Sequence, residues 1–96
     1  MTLDQLRGQW RGKIARLARR HGARNVRVFG SIARGQDTSA SDLDLLVDFA
    51  PGCSLLDLIG LEQDLEDALG MRVDVVTEDG LSPYLRDDIL KQAVPL

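Results

Sequence analysis

Residues 25–49 read Asn25-Val26-Arg27-Val28-Phe29-Gly30-Ser31-Ile32-Ala33-Arg34-Gly35, then a small polar loop, then Ser41-Asp42-Leu43-Asp44-Leu45-Leu46-Val47-Asp48-Phe49. Asn25 to Phe29 alternates polar and apolar side chains and reads as a short strand. Ser31 to Arg34 reads as the first turn of a short helix, and Gly35 to Ala40 as a loop. Asp42 to Phe49 is a second strand. A strand that turns into a helix at Gly30-Ser31 leaves backbone N–H groups at that helix's N-terminus, where donors and dipole favour an anion. Gly30 has no side chain, so the backbone can approach the anion closely. Ser31 adds a hydroxyl. An ordinary helix cap would use the same residues.

Asp42 and Asp44 stand two apart in a strand and therefore point to one face. Two carboxylates so placed repel each other, and Mg²⁺ resolves that by taking carboxylate oxygens together with water and substrate phosphates. The plainer reading is coincidence, since the chain has twelve Asp. Asp74 interrupts the apolar run Val73-Asp74-Val75-Val76, and a carboxylate in a buried strand is costly unless paired or liganded. It could instead lie on an exposed face or pair with Arg34 or Arg72. Arg34 could reach a phosphate, neutralise the carboxylates, or form a structural ion pair. An anion cradle, a carboxylate pair and a third carboxylate are together what phosphoryl-group transfer needs. The cradle would hold the outgoing phosphates and metal would bridge the α-phosphate, with room for a second ion.

Working outward, Leu3, Leu6, Trp10, Ile14 and Leu17 form one apolar helical stripe. Thr2 and Gln5 have capping-box spacing, and Gly22 is a stop. Pro51-Gly52 marks a turn. Ser54 then caps an amphipathic helix carrying Leu55, Leu58, Ile59, Leu61, Leu65 and Leu69, closed by Gly70. Met71 to Thr77 is a third strand, with Val73 and Val75 on one face and Asp74 and Val76 on the other. Ser82 and Pro83 open a last helix, to about Ala93, with Leu85, Ile89 and Leu90 facing in. The order of elements predicts an α/β (α+β) domain in which helices pack on a small sheet, with residues 1–96 forming one domain.

Apolar residues make up 44% of the chain, enough for a core. The aromatic residues are Trp10, Phe29, Phe49 and Tyr84, too few for a platform on which single-strand bases stack, so no stable nucleic-acid binding is expected. Charge is lopsided: nine basic and one acidic side chains through residue 35, three basic and fourteen acidic after it. That is either a solvated basic helix or a surface for phosphates or an acidic partner. Cys53 is the only cysteine, which excludes an intrachain disulfide and fits a reducing cytoplasm. It reads as a packing residue, since His21 is distant in sequence. No apolar run reaches the ~20 residues that span a bilayer, so no membrane association is expected.

Gly30-Ser31, ten intervening residues and Asp42-Leu43-Asp44 resemble the signature of the DNA polymerase β-like nucleotidyltransferase superfamily. The wording Gly-Ser-Ile-Ala-Arg-Gly followed by Ser-Asp-Leu-Asp-Leu-Leu-Val is similar to its MNT-type minimal members, over nearly the whole chain. The resemblance implies a nucleotidyltransferase fold with a mixed sheet. It implies triphosphate binding by Gly30 and Ser31, metals held by Asp42 and Asp44, and Asp74 as the third carboxylate that deprotonates an acceptor hydroxyl. Many such proteins are similar to antitoxins encoded beside a HEPN-domain toxin. The family's antitoxin transfers AMP from ATP to a tyrosine of that toxin. The cofactors implied are Mg²⁺, two ions, and ATP as donor NTP. The partner implied is a co-encoded HEPN-domain protein, and a homo-oligomer is compatible. A non-catalytic antitoxin that occludes its partner is the alternative.

Overall fold

The computed structural model describes residues 1–38 and 40–96. Helix α1 (Leu3–Gln5) opens with the expected box: Gln5 N–H donates to Thr2 Oγ1 and Thr2 N–H to Gln5 Oε1. The first helix is not continuous. A π-helical stretch (Leu6–Trp10) separates α1 from α2 (Arg11–Arg20). The widened turn includes Gly8, a poor α-helix former. The apolar stripe survives, with Leu6, Ile14 and Leu17 buried and Leu3 and Trp10 packed beside them.

Four strands follow: β1 (Ala23–Phe29), β2 (Leu43–Phe49), β3 (Val73–Val76) and β4 (Val94–Pro95). The sheet order is β3-β2-β1-β4. β1 runs antiparallel to β2 and β4, while β2 and β3 are parallel, so the sheet is mixed. The short β4 was not anticipated, since Val94-Pro95 is too brief to show a period. Helix α3 (Gly30–Ala33) follows β1 directly, α4 (Leu55–Leu69) connects β2 to β3, and α5 (Pro83–Gln92) connects β3 to β4.

One sheet face is covered. Leu43, Leu45 and Val47 of β2, Val28 of β1, and Val73 and Val75 of β3 pack with Ile14, Leu17, Leu61 and Leu65 of α2 and α4. The outer N–H groups of edge strand β3 are also covered: Val73 and Val75 donate to Glu66 and Glu62 of α4. Ser54 and Asp57 cap α4 reciprocally, and Gly70 ends it in the left-handed conformation.

Two expectations about facing fail. Leu55 and Ile59 of α4 are exposed rather than buried. Fifteen helical residues span roughly 22 Å against roughly 13 Å for the four-residue β3, so the first turns of α4 overhang that strand. Leu85 and Leu90 of α5 are exposed too, and no α5 side chain joins the core among the described residues. β3 and β4 are parallel, and the crossover between them runs back across the sheet. The right-handed sense of such connections therefore puts α5 on the face opposite α4, away from the core. Ser82 sits at the cap position of α5 with Pro83 first in the helix, but its hydroxyl makes no cap bond.

Candidate functional site

The second sheet face carries the candidate residues. On it lie Asp44, Leu46 and Asp48 of β2, and Asp74 and Val76 of β3. Asp44 and Asp74 are direct register partners in the parallel pair, so their side chains leave the same face from adjacent strands. The strand starts are aligned by a bond from Leu43 N–H to the Arg72 carbonyl, 2.9 Å. Asp42 lies just before β2, two residues ahead of Asp44.

Asp44 is the electrostatic centre. Partial burial, the charge of Asp74 and the charge of Asp42 push its carboxyl above the ordinary carboxylate range, while Arg34 pulls it down. Among the described residues no carboxylate of the three forms an ion pair, and no three His, Cys, Asp or Glu side chains close on a common point as they stand. The alternatives of a salt bridge from Asp74 to Arg34 or Arg72 are not realised. Like charges facing each other without a counter-ion repel, and a bound cation would remove that cost. Three oxygen-donor side chains on one face suit a hard divalent ion.

Gly30 sits against this cluster. Its φ is +78°, and a methyl placed on it would run into the Asp44 carboxylate. Phe29, its predecessor, is the cross-strand partner of Asp44. The glycine corner and the first carboxylate are therefore in contact. α3 receives no side-chain cap, unlike α1 and α4, and the Ser31 hydroxyl has no hydrogen-bond partner among the described residues. The ordinary-cap explanation for Gly30-Ser31 thus does not apply. Arg34, at the end of α3, is held by Gln36 (Nε to Oε1, 3.1 Å) and by Gln92 of α5 (Nη1 to Oε1, 2.9 Å).

Two features of this face were missed by sequence reasoning. Arg27 of β1 donates to Asp48 of β2 at 2.9 Å and to Glu78, in the turn after β3, at 3.4 Å, reaching across β2. It passes its register partner Leu46, which is fully buried yet outside the main core. Gln92 is the second, and only the tertiary approach of α5 to α3 could reveal it. A groove of about 540 Å³ lies at the other ends of β2 and β3, lined by Phe49, Leu55, Leu58 and Glu78, and no candidate site residue borders it. The candidate residues lie outside this concavity. Cys53 packs as expected, with its Sγ against the His21–Gly22 turn, while the His21 ring bonds Asp64 at 2.6 Å instead.

A nucleotidyltransferase domain model matches residues 12–96. The chain is 45% identical over 82 residues to an inferred protein adenylyltransferase of Methanocaldococcus jannaschii, covering 85% of this chain and 88% of that protein. It is 38% identical over 94 residues to the protein adenylyltransferase MntA of Thermococcus cleftensis, covering 98% and 95%. A solved structure of an inferred minimal nucleotidyltransferase superposes with TM-score 0.85 at 52% identity, covering 100% of this chain and 97% of that one. A complex of tri-AMPylated Shewanella oneidensis HEPN toxin with MNT antitoxin matches with TM-score 0.66 at 26% identity, covering 88% of this chain and 66% of the matched chain. With its sheet, its glycine corner and these likenesses, the chain belongs to the nucleotidyltransferase domain family and is an enzyme of that class.

Proposed function

We propose that residues 1–96 act as a single domain that transfers AMP from ATP to a tyrosine hydroxyl of a co-encoded HEPN-type partner, and so serve as its antitoxin. The observation that carries the proposal is the pairing of Asp44 with Asp74 on one sheet face, in the field of Asp42 and beside Gly30. The adenylyltransferase name of a relative and the AMPylated HEPN complex of a structural neighbour support the choice of donor and acceptor.

Asp42, Asp44 and Asp74 would hold Mg²⁺, two ions, which when bound supply charge to the α-phosphate and the leaving pyrophosphate. The open amides of α3 and the Ser31 hydroxyl would take the triphosphate, with Gly30 admitting it close to the backbone. Arg34, anchored by Gln36 and Gln92, would face the same charge. The acceptor oxygen bonds to the α-phosphorus, the bond from that phosphorus to the bridging oxygen breaks, and pyrophosphate leaves. The phenolic proton passes to Asp74.

The test uses the purified protein, Mg²⁺, ATP labelled at the α-phosphate and the co-encoded neighbour. Label is expected on a neighbour tyrosine and lost in an Asp42→Asn, Asp44→Asn variant. An unlabelled but folded neighbour would refute the transfer. The uneven charge favours a second reading, in which the partner is silenced by occlusion. Neutralisation that survives unchanged in the same double variant would select it.

A further inference from the structure

A second groove, about 290 Å³, lies between α2 and the outer edge of β1. Arg11 and Arg19 stand at its margin, and its lining includes Ala15, Arg24, Val26 and Leu96. Arg11, Ala15 and Arg19 fall at i, i+4 and i+8 and so form one row along α2, with an alanine dip between two guanidinium groups. Arg24 borders the groove from β1, while its register with Asp48 places its side chain on the opposite sheet face. All three arginines are exposed, and among the described residues none has a carboxylate within ion-pair distance. This is part of the basic segment that the proposed chemistry does not use.

β4 approaches this groove, whose lining includes Leu96. It pairs only with Arg27 and Val28, and one further bond runs from Leu96 N–H to the Val26 carbonyl at 3.1 Å. Towards Ala23 the β4-side edge of β1 has no strand beside it among the described residues. A bulge between Arg24 and Arg27, with Asn25 at φ 54° and its side chain tied to Asp48 at 2.9 Å, fixes the wall. None of the candidate catalytic residues lines the groove.

From this charge complementarity we infer that the groove is an anchoring site for an acidic segment of the partner protein, an aliphatic side chain flanked by Asp or Glu. The inference rests on the proposed function for the existence of that partner. Arginines around an aliphatic floor select a ligand that is apolar at its centre and anionic at its margins. Nucleic acid fits less well, because its bases need aromatic faces and the groove has none. Anchoring here is separate from the carboxylates, so the partner binds without nucleotide and without metal.

The experiment measures binding of the whole protein to the co-encoded partner by calorimetry, without ATP or Mg²⁺. Arg11→Glu with Arg19→Glu should weaken binding at least roughly tenfold and reverse its salt dependence. Ala15→Leu, which fills the dip on an apolar-tolerant helix, should weaken it with melting temperature unchanged. Binding of a fluorescent ATP analogue with Mg²⁺ should match wild type in both. Wild-type partner affinity in both variants would overturn the anchoring site, and transfer to the partner would then still support the enzymatic proposal. If the wild-type protein neither binds nor labels the partner, both fall. Loss of RNA binding, or a changed oligomeric state without loss of partner affinity, would assign the groove to those occupants and overturn the inference.

Discussion

At the scale of single residues, Asp44 and Gly30 carry the most weight. Asp44 holds its proton more tightly in the folded chain than in the unfolded one, because of burial and then of Asp74 and Asp42. The folded state therefore binds more protons in that window, and stability falls as pH rises through the raised pKa. An ionised Asp44 is a cost to the metal-free fold at neutral pH. Asp44→Asn should raise the melting temperature at pH 7, and the gain should shrink as pH falls towards the ordinary carboxylate range. A melting curve that is unchanged or lower at pH 7 would contradict the burial and charge argument. Gly30→Ala meets both a left-handed φ and the Asp44 carboxylate. It should cost about 1–3 kcal/mol in urea unfolding and remove binding of an ATP analogue.

At the scale of elements, α4 shows how local chemistry and tertiary length combine. Its start is fixed by two bonds at Ser54, 3.2 Å from Leu56 N–H to Ser54 Oγ and 2.7 Å from Ser54 N–H to Asp57 Oδ2. Ser54→Ala should cost about 1 kcal/mol, a fall of roughly 4–8 °C in melting temperature for a domain of this size. Calorimetry would measure it, and a loss below a few tenths of a kcal/mol would mean the overhanging first turn frays without consequence. α5 is the counterpart on the other face. It meets the end of α3 through the Arg34–Gln92 bond, and among the described residues it contributes nothing to the core. Arg27 of β1 links β2 and the turn after β3 on that face through Asp48 and Glu78.

At the scale of the molecule, one sheet separates two jobs. The face under α2 and α4 is aliphatic and holds the fold together, while the opposite face gathers negative charge at the starts of β2 and β3. A ligand that binds only the folded chain stabilises it. Mg²⁺ at about a hundred times its dissociation constant should add roughly 2.7 kcal/mol to the wild-type protein and nothing measurable to Asp42→Asn, Asp44→Asn. Thermal shift with and without Mg²⁺ reads this independently of any transfer reaction. An equal shift in both proteins would place the ion elsewhere.

The sequence determined the pieces whose logic is local. Alternation located β1, the Thr2–Gln5 spacing and the Ser54 cap located the starts of α1 and α4, and the Gly30-Ser31 to Asp42-Leu43-Asp44 spacing carried the family resemblance. Only the tertiary structure decided what depends on register and reach. It made Asp74 the neighbour of Asp44, because nothing in either strand alone fixes a parallel pairing. It left Leu55, Ile59, Leu85 and Leu90 in solvent, because helical periodicity does not know how far a helix outruns its sheet or which face its crossover takes. It also set Arg11 and Arg19 along a groove between α2 and β1, a matter of helix placement and bulge geometry that residue types cannot specify.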